Sequence, residues 1–482
     1  MEPSEKYEAV IGLEVHVQLS TASKAFCGDD ASFGGAPNTH ISAISLGHPG
    51  TLPTLNKKQL EYGIRLALAL NSSINKKNFF DRKNYFYADL PKGYQITQDN
   101  QPYCVGGSFD INVDGERKTI RMHHIHMEED AGKSIHDQDP NYSLIDLNRA
   151  GVPLLEIVTE PDFRSAAEVD TFMTSMRQLV RYLEISDGNM EEGSMRCDCN
   201  ISIRLKGETV LNERCEIKNM NSMRFARQAI EFEFKRQVEL VEAGKKVIQQ
   251  TLNFDPKTGR TSPLRDKEDA HDYRYFPEPD LLPVVLSDQY IEEIRQTVSP
   301  LPWEVLEELM QKYNLTAYDA KLISEEKAIA VFYKKIADDC GHFKAVANLI
   351  INKINPYLNE NKLSIEAFPL KTENLSAFIN LLENGKVSSS IAYQRLFPAM
   401  IQSPEKSPES LAESLNLIQS DDSDFLKKLV LETLDRNPEK VKAYKNGKKG
   451  LIGFFMGEVM RQSKGKAEPK TTNELLKKLL ET

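Results

Sequence analysis

Residues 7–20, YEAVIGLEVHVQLS, constrain the fold more than any other stretch, because Ile11, Leu13, Val15, Val17 and Leu19 alternate with Gly12, Glu14, His16 and Gln18. Alternation with period two marks a strand that buries one face and shows the other, since successive β side chains point to opposite sides. Glu14 and His16 therefore share the polar face, about 7 Å apart at two residues' rise. One carboxylate and one imidazole on a rigid strand can ligate a divalent cation together, although a strand that only exposes polar groups to water would read the same way.

A second segment repeats the geometry. In residues 196–204 the side chains of Cys197, Cys199, Ile201 and Ile203 point one way, and those of Arg196, Asp198, Asn200, Ser202 and Arg204 the other. Asp198 then shares a face with two arginines, an arrangement suited to a phosphate plus a metal, because arginine matches phosphate oxygens bidentately while a carboxylate anchors the cation. An Arg–Asp ladder on a sheet surface would need no ligand. Residues 124–134 add three adjacent carboxylates, Glu128, Glu129 and Asp130, which repel one another unless a cation or a lysine sits among them. Glu156 stands alone in the apolar run 151–158, where a charge is costly unless paired or metal-bound. Carboxylates with one imidazole form a hard site that favours Mg²⁺ or Mn²⁺ over zinc.

Two tempting motifs fail on spacing. Residues 131–134, AGKS, mimic the end of a phosphate-binding loop, but Met127 stands where that loop needs its first glycine. Cys197 and Cys199 resemble half a zinc knot, yet period two aims both sulfurs at the apolar face, so no zinc is expected there.

At 482 residues the chain exceeds one core, and a prior of about 150 residues per domain predicts roughly three. Up to about residue 290 the pattern is mixed α and β. Beyond it strand signals almost vanish, and residues 303–313, 325–338 and 343–357 carry apolar side chains at helical spacing, with Pro356 as a stop. Residues 402–409, rich in Pro, Ser and charge, read as a linker. The six cysteines are scattered, which fits reduced thiols. There is no basic start followed by an apolar run and no stretch of about 18 apolar residues, so a cytoplasmic protein without membrane contact is expected. The formal net charge is -10, so any nucleic-acid contact must be a local basic patch. From Lys427 onward there are fourteen Lys or Arg against seven Asp or Glu, a candidate phosphate-binding face inside an acidic chain.

These segments carry long ordered motifs: IGLEVHVQL at 11–19, FDRKNYFYADLPKGYQITQ at 80–98, HMEEDAGKS at 126–134, DLNRAGVPLLEIVTEPD at 146–162, MEEGSMRCDCNISIR at 190–204, EIKNMNS at 216–222, DYRYFPEPDL at 272–281 and a Lys/Gly-rich run over 445–465. With them the chain resembles the B subunits of the bacterial tRNA-dependent amidotransferases along nearly its whole length. The resemblance implies an α+β fold with an N-terminal cradle similar to the catalytic domain of glutamine synthetase and guanido kinases over 1–292. An all-α helical domain over 293–405 and a small helical tail similar to the YqeY protein over 406–482 would follow.

The resemblance also implies the reaction. ATP would phosphorylate the side-chain carboxylate of mischarged Glu-tRNA(Gln) or Asp-tRNA(Asn), and ammonia would displace the phosphate. By motif, Glu14, His16, Glu129, Glu156 and Asp198 would be the catalytic, metal-liganding set with Glu128 beside them, and Lys83 and Arg196 would hold ATP phosphates. The metal would be Mg²⁺ or Mn²⁺. Ammonia would come from a separate glutaminase, the A subunit, with a small C subunit bracing the two in a heterotrimer, and the tail would contact tRNA. Many members carry four thiolates suited to structural zinc; here only Cys27 remains, with Asp29 and residues 42–45 lacking sulfur, so no structural zinc is expected. The competing reading is a non-catalytic tRNA-binding scaffold, against which the complete set of acidic residues speaks.

Overall fold

The computed structural model describes residues 3–136, 138–139, 141–220, 222–264, 273–419, 423–463, 467 and 469–481. Within the motifs quoted above, Asn221, Asp272, Lys464 and Gly465 lie outside these described residues. The chain forms two compact units, Met1–Leu301 and Pro302–Thr482.

The first unit is built on a ten-stranded, mostly antiparallel sheet. The elements that matter here are β1 (Tyr7–Gln18), helix α1 (Lys57–Ala69), β2 (Asp81–Asn84) and β3 (Tyr94–Thr97) in a small separate sheet, β4 (Glu116–Glu129), β5 (Pro153–Thr159), helix α2 (Ala166–Tyr182), β6 (Met195–Leu205), β7 (Cys215–Met220), helix α3 (Met223–Glu242) and β8 (Gln250–Asp255). In the large sheet the central order is β8, β7, β6, β1, β5, β4, and only the β7–β8 pair among these is parallel.

Alternation decides which face is covered. Ile11, Leu13, Val15 and Val17 of β1 and Cys197, Cys199 and Ile201 of β6 are buried in one core cluster with Phe172, Met176 and Leu179 of α2 and Ala226 and Ile230 of α3. Removing each such large side chain from water is worth about 1.5–3 kcal/mol, so a one-residue slip that exposed this set would forfeit many times the net stability of a domain. The helices start where the sequence supplies caps: Asn56 accepts from Lys58 and Gln59, Ser165 from Glu168 and Ser222 from Phe225. With helices on one face, the polar face is left to build a site.

The second unit is helical in all its described elements. Two of the sequence expectations need correction here. The pattern over residues 343–357 predicts a stop at Pro356, but helix continues over Asn355–Asn361 after a wide π turn, Ile350–Ile354, closed by the Asn355 N–H on Ile350 O. The wide turn shifts the carbonyl that the proline ring would meet, and Pro356 has no N–H to waste. The same device recurs where Ala392–Leu396 precedes Pro398. Residues 402–409 are not an extended linker: helix Phe397–Gln402 ends and Ser407 already caps Pro408–Ser414 by accepting from Ser410. The last four helices, α4 (Ser423–Asp435), α5 (Pro438–Lys445), α6 (Ile452–Gln462) and α7 (Pro469–Glu481), have a core of their own in Leu426, Val430, Phe455, Val459, Leu476 and Leu480. No helix among the described residues is long and apolar enough to cross a membrane.

Candidate functional site

Register brings distant residues into rows across the uncovered face. His16 of β1 stands opposite Arg196 of β6 and Glu156 of β5, and Glu156 stands opposite His126 of β4. In the next row Glu14 pairs with Asp198 and Val158. Period two then places Glu128 two residues beyond His126 on the same side. Of these, Glu14, His16, Glu128, Glu156, Arg196 and Asp198 line an open cavity of about 350 Å³, with Lys83 and Tyr85 from β2 and its following turn and Lys218 from β7 on its walls.

Two groups of possible ligands lie on this face, each with its ligand atoms within 4.8 Å of one another: His16, Glu128 and Glu156, and Glu14, Asp198 and Glu216. In the first, His16 Nε2 lies 3.2 Å from Glu156 Oε2 and 3.9 Å from Glu128 Oε1. His126 closes the group from the other side, its Nε2 at 3.4 Å from Glu156 and 3.5 Å from Glu128, and Thr97 donates to Glu128 at 3.2 Å. In the second, Lys218 Nζ bridges Asp198 at 3.2 Å and Glu216 at 2.8 Å, and Asn200 donates to Glu14 at 3.0 Å.

The electrostatics follow from burial against neighbours. Burial alone would lower the His16 pKa, but Glu156 and then Glu128 outweigh it and raise it. Burial likewise opposes charge on His126, yet the same two carboxylates push it up to about 10. Burial would raise Glu156, and His126 and His16 instead hold it well below the usual carboxylate range. Glu14 goes the other way, raised by burial and then by Glu156, Glu216 and Asp198. Lys218 is raised despite burial because Asp198 and Glu216 face it. The carboxylate-rich face thus draws positive charge, supplied here by imidazolium and ammonium groups. A divalent cation answers the same need, and carboxylate oxygens with one imidazole fit Mg²⁺ or Mn²⁺.

Anion-binding capacity sits beside it. Arg196 donates from one guanidinium nitrogen to Asp130 at 2.8 Å, and Gln18 donates to the same oxygen at 2.6 Å. The Arg196 Nε is buried and finds no partner among the described residues. An unmade hydrogen bond at a buried donor of a cation costs more than one on a neutral group, so this donor favours a negatively charged acceptor such as a phosphate oxygen. Lys83 Nζ lies 4.8 Å from the centre of the Tyr273 ring, and its pKa is raised against burial chiefly by Glu128. Neither buried thiol of β6 competes as nucleophile: burial pushes up the pKa values of Cys197 and Cys199, and both point into the core.

Of the residues expected from sequence, the structure brings together Glu14, His16, Glu128, Glu156 and Asp198, with Lys83 and Arg196 beside them. It does not bring Glu129 to this group. Following Glu128 by one residue in a strand, Glu129 faces the other way, forms an ion pair with Lys92, accepts from the Ile96 N–H at 3.0 Å and lines a separate cavity of about 220 Å³. Sequence reasoning passed over Glu216, Lys218 and His126. Each had a signal, since Glu216 and Lys218 alternate in the EIK of β7 and His126 lies two residues before Glu128, but their distance from β1 across the sheet was not readable.

Family models match two parts of the chain, the GatB/GatE catalytic domain over residues 9–292 and a GatB domain over residues 331–480. Among curated proteins, the B subunit of the aspartyl/glutamyl-tRNA(Asn/Gln) amidotransferase of Persephonella marina is 45% identical over 98% of this chain and 100% of its own length. Those of Thermodesulfovibrio yellowstonii and Geobacter sulfurreducens are each 46% identical over 98% of this chain and 99% of their own.

Proposed function

This chain belongs to the GatB/GatE family, as a subunit of an aspartyl/glutamyl-tRNA amidotransferase, and from that premise we propose that its sheet face activates the side-chain carboxylate of Glu-tRNA(Gln) or Asp-tRNA(Asn) with ATP for amide formation. The observation that carries the reading is the convergence of two ligand triads from five strands, His16, Glu128 and Glu156 beside Glu14, Asp198 and Glu216, next to an arginine whose buried Nε has no partner among the described residues.

A carboxylate is a poor acyl donor because oxide is a poor leaving group, and transfer of a phosphoryl group to it makes phosphate the group that departs when ammonia attacks. Such transfer asks mainly for positioning and for positive charge around the transferring group. Bound at the two triads, Mg²⁺ or Mn²⁺ would supply that charge. Arg196 and Lys83 grip phosphate oxygens, with Asp130 fixing the arginine plane. Asn200 orients Glu14, and His126 and Thr97 orient Glu128. In this reading the catalytic set is Glu14, His16, Glu128, Glu156, Asp198 and Glu216. The wall of strands also excludes bulk water from one side of the carboxyl group. An open sheet face backed by helices supports the expected likeness to the glutamine synthetase and guanido kinase cradle, whose chemistry also passes through an acyl or guanidino phosphate.

That the relatives are B subunits supports partner subunits, here the expected A subunit as ammonia source and the C subunit as brace, in a heterotrimer working in the cytoplasm where aminoacyl-tRNA is used. The tail supports the tRNA part of the reading. Its cations include Lys440, whose Nζ lies 3.3 Å from the centre of the Phe454 ring, and Lys449, 4.3 Å from that of Tyr444. Among the described residues neither lysine is paired with a carboxylate, which leaves their charge for phosphates.

The test is ATP cleavage by the assembled complex, assayed with and without mischarged tRNA. Cleavage that depends on Glu-tRNA(Gln) or Asp-tRNA(Asn), and amide formation that depends on both ATP and glutamine, are the expected results. Amide formation without ATP would overturn the reading. Truncation after Gln419 should flatten the dependence of tRNA affinity on salt, by about 0.7–0.9 in log–log slope for each phosphate that the tail neutralises.

A further inference from the structure

Arg196 reaches the carboxylate cavity as one member of a chain of charges. Its partner Asp130, the residue after β4, is buried, and a second arginine approaches the same carboxylate: Arg149 Nε lies 3.8 Å from the oxygen that Arg196 and Gln18 already hold. The other Asp130 oxygen accepts from the Ala131 N–H at 2.9 Å, so both are engaged. Asp130, Ala131 and Arg196 are in the lining of the cavity, whereas Arg149 is not among the described residues that line it. Two guanidinium groups thus share one carboxylate. An Arg196–Asp130 pair alone would be close to neutral and would attract a phosphate weakly; with Arg149 drawing on the same carboxylate, one positive charge is left over beside the cavity, on the side of the arginine whose Nε is unpartnered among the described residues.

Arg149 is held by a fork. Its Nε donates to Ala131 O at 2.9 Å and a terminal nitrogen donates to Gly132 O at 2.6 Å. Such bonds can serve the backbone or the arginine, and the backbone is already fixed. The Asp130 N–H donates to Val152 O and Asp130 O accepts from the Gly151 N–H, both at 2.8 Å, while the Gly132 N–H donates to Asp89 O at 2.8 Å. Gly132 is also wedged in place, since a Cβ there would stand 2.9 Å from Asp89 O and 3.0 Å from Asp146 O. What the fork adds is therefore a fixed guanidinium, a full positive charge kept beside Asp130 instead of turning out to water.

We propose that Arg149 is a positioning residue for phosphoryl transfer: by sharing Asp130 with Arg196 it keeps the Arg196 guanidinium incompletely neutralised and so able to take a phosphate oxygen. The proposal rests on the reading of Arg196 as a phosphate ligand given above. Arg149 acts at one remove, through Asp130 and then Arg196, and this separates it from a residue that only supports the loop.

The experiment measures tRNA-dependent ATP cleavage by the assembled complex carrying Arg149→Gln, Arg149→Lys, Arg196→Gln, or Arg149→Gln together with Arg196→Gln. Glutamine keeps donors for the two carbonyls and drops the charge, whereas lysine keeps the charge. Arg149→Gln should raise KM for ATP by about tenfold, the worth of one charge-assisted hydrogen bond, and leave KM for aminoacyl-tRNA within about twofold. Arg149→Lys should recover most of that loss. In the Arg196→Gln background, adding Arg149→Gln should change KM for ATP by less than about twofold, because the group it acts through is gone. An unchanged KM for ATP in Arg149→Gln, an equal loss in Arg149→Gln and Arg149→Lys, a rise in both KM values, or a loss that persists in the Arg196→Gln background overturns the proposal. If Arg149→Gln lowers the melting temperature, the comparison of the two backgrounds still decides, since a loss of folding is common to both. Should Arg196→Gln by itself leave KM for ATP unchanged, the reading of Arg196 as a phosphate ligand fails and the proposal with it, a result distinct from the others.

Discussion

Glu128 and Glu129 are consecutive, and both are nearly fully buried, yet the structure gives them opposite surroundings. Glu128 opens onto a cavity that His16 and Glu156 also line, with His126 against both carboxylates, and there several carboxylates compete for few cations. Glu129 turns to the far side and is satisfied within the chain by the Lys92 ammonium and the Ile96 N–H. The difference teaches how to separate a carboxylate that waits for a cation from one that already has it. Burial and charge are the same; only the count of counter-charges and the access differ. On this view the first residue belongs to chemistry and the second to the stability of the wall between the two cavities.

The comparison breaks most visibly through its largest effect. Glu156→Gln, which keeps shape and removes charge at the centre of the first triad, should reduce tRNA-dependent ATP cleavage by about a thousandfold, the several kcal/mol of charge stabilisation at stake. Glutaminase activity of the partner subunit should persist; near-normal amide transfer would remove Glu156 from the mechanism. Next, Glu129→Gln strands the Lys92 ammonium and should cost about 3 kcal/mol, read as a fall of several degrees in melting temperature. A double substitution, Lys92→Met with Glu129→Leu, should recover much of that loss. Unaltered melting in Glu129→Gln would mean the pair is not what holds this wall.

Glu128→Gln sharpens the contrast. Mn²⁺ affinity, followed by electron paramagnetic resonance, should weaken by at least ten- to a hundredfold, about the penalty for removing even a supporting partner of a ligand. Glu129→Gln should leave it within about twofold. If the two substitutions exchange these results, the assignment of faces is reversed. The smallest effect is expected at His126: His126→Asn should lower ATP cleavage by roughly tenfold through misplacement of Glu128 and Glu156, with rescue toward normal rates at higher Mn²⁺.

Much of this is legible in the sequence. The alternation of residues 11–19 told which side of β1 is polar, and the same rule in residues 196–204 put Asp198 with Arg196 and sent both cysteines inward. The lone Glu156 announced itself by its apolar company. The rule also contained what was missed. Adjacent residues of a strand cannot share a face, so Glu128 and Glu129 could not both enter one pocket, and a motif shared with a family does not override the pleat. Glu216 and His126 were out of reach for another reason: alternation fixes a side but not which strands are neighbours, and β7 lies two strands from β1 by a pairing that no local pattern encodes. Pro356 misled because a π turn, which has no sequence mark as strong as proline's, absorbs its effect.

The central claim is that carboxylates and an imidazole from separate strands form cation sites at the reacting end of ATP. Anomalous diffraction from crystals of the assembled complex with Mn²⁺ and a non-hydrolysable ATP analogue tests it directly. The account predicts anomalous peaks within ligand distance of His16, Glu128 and Glu156 and of Glu14, Asp198 and Glu216, beside the terminal phosphate. Nucleotide bound with its manganese elsewhere, away from both triads, would contradict it.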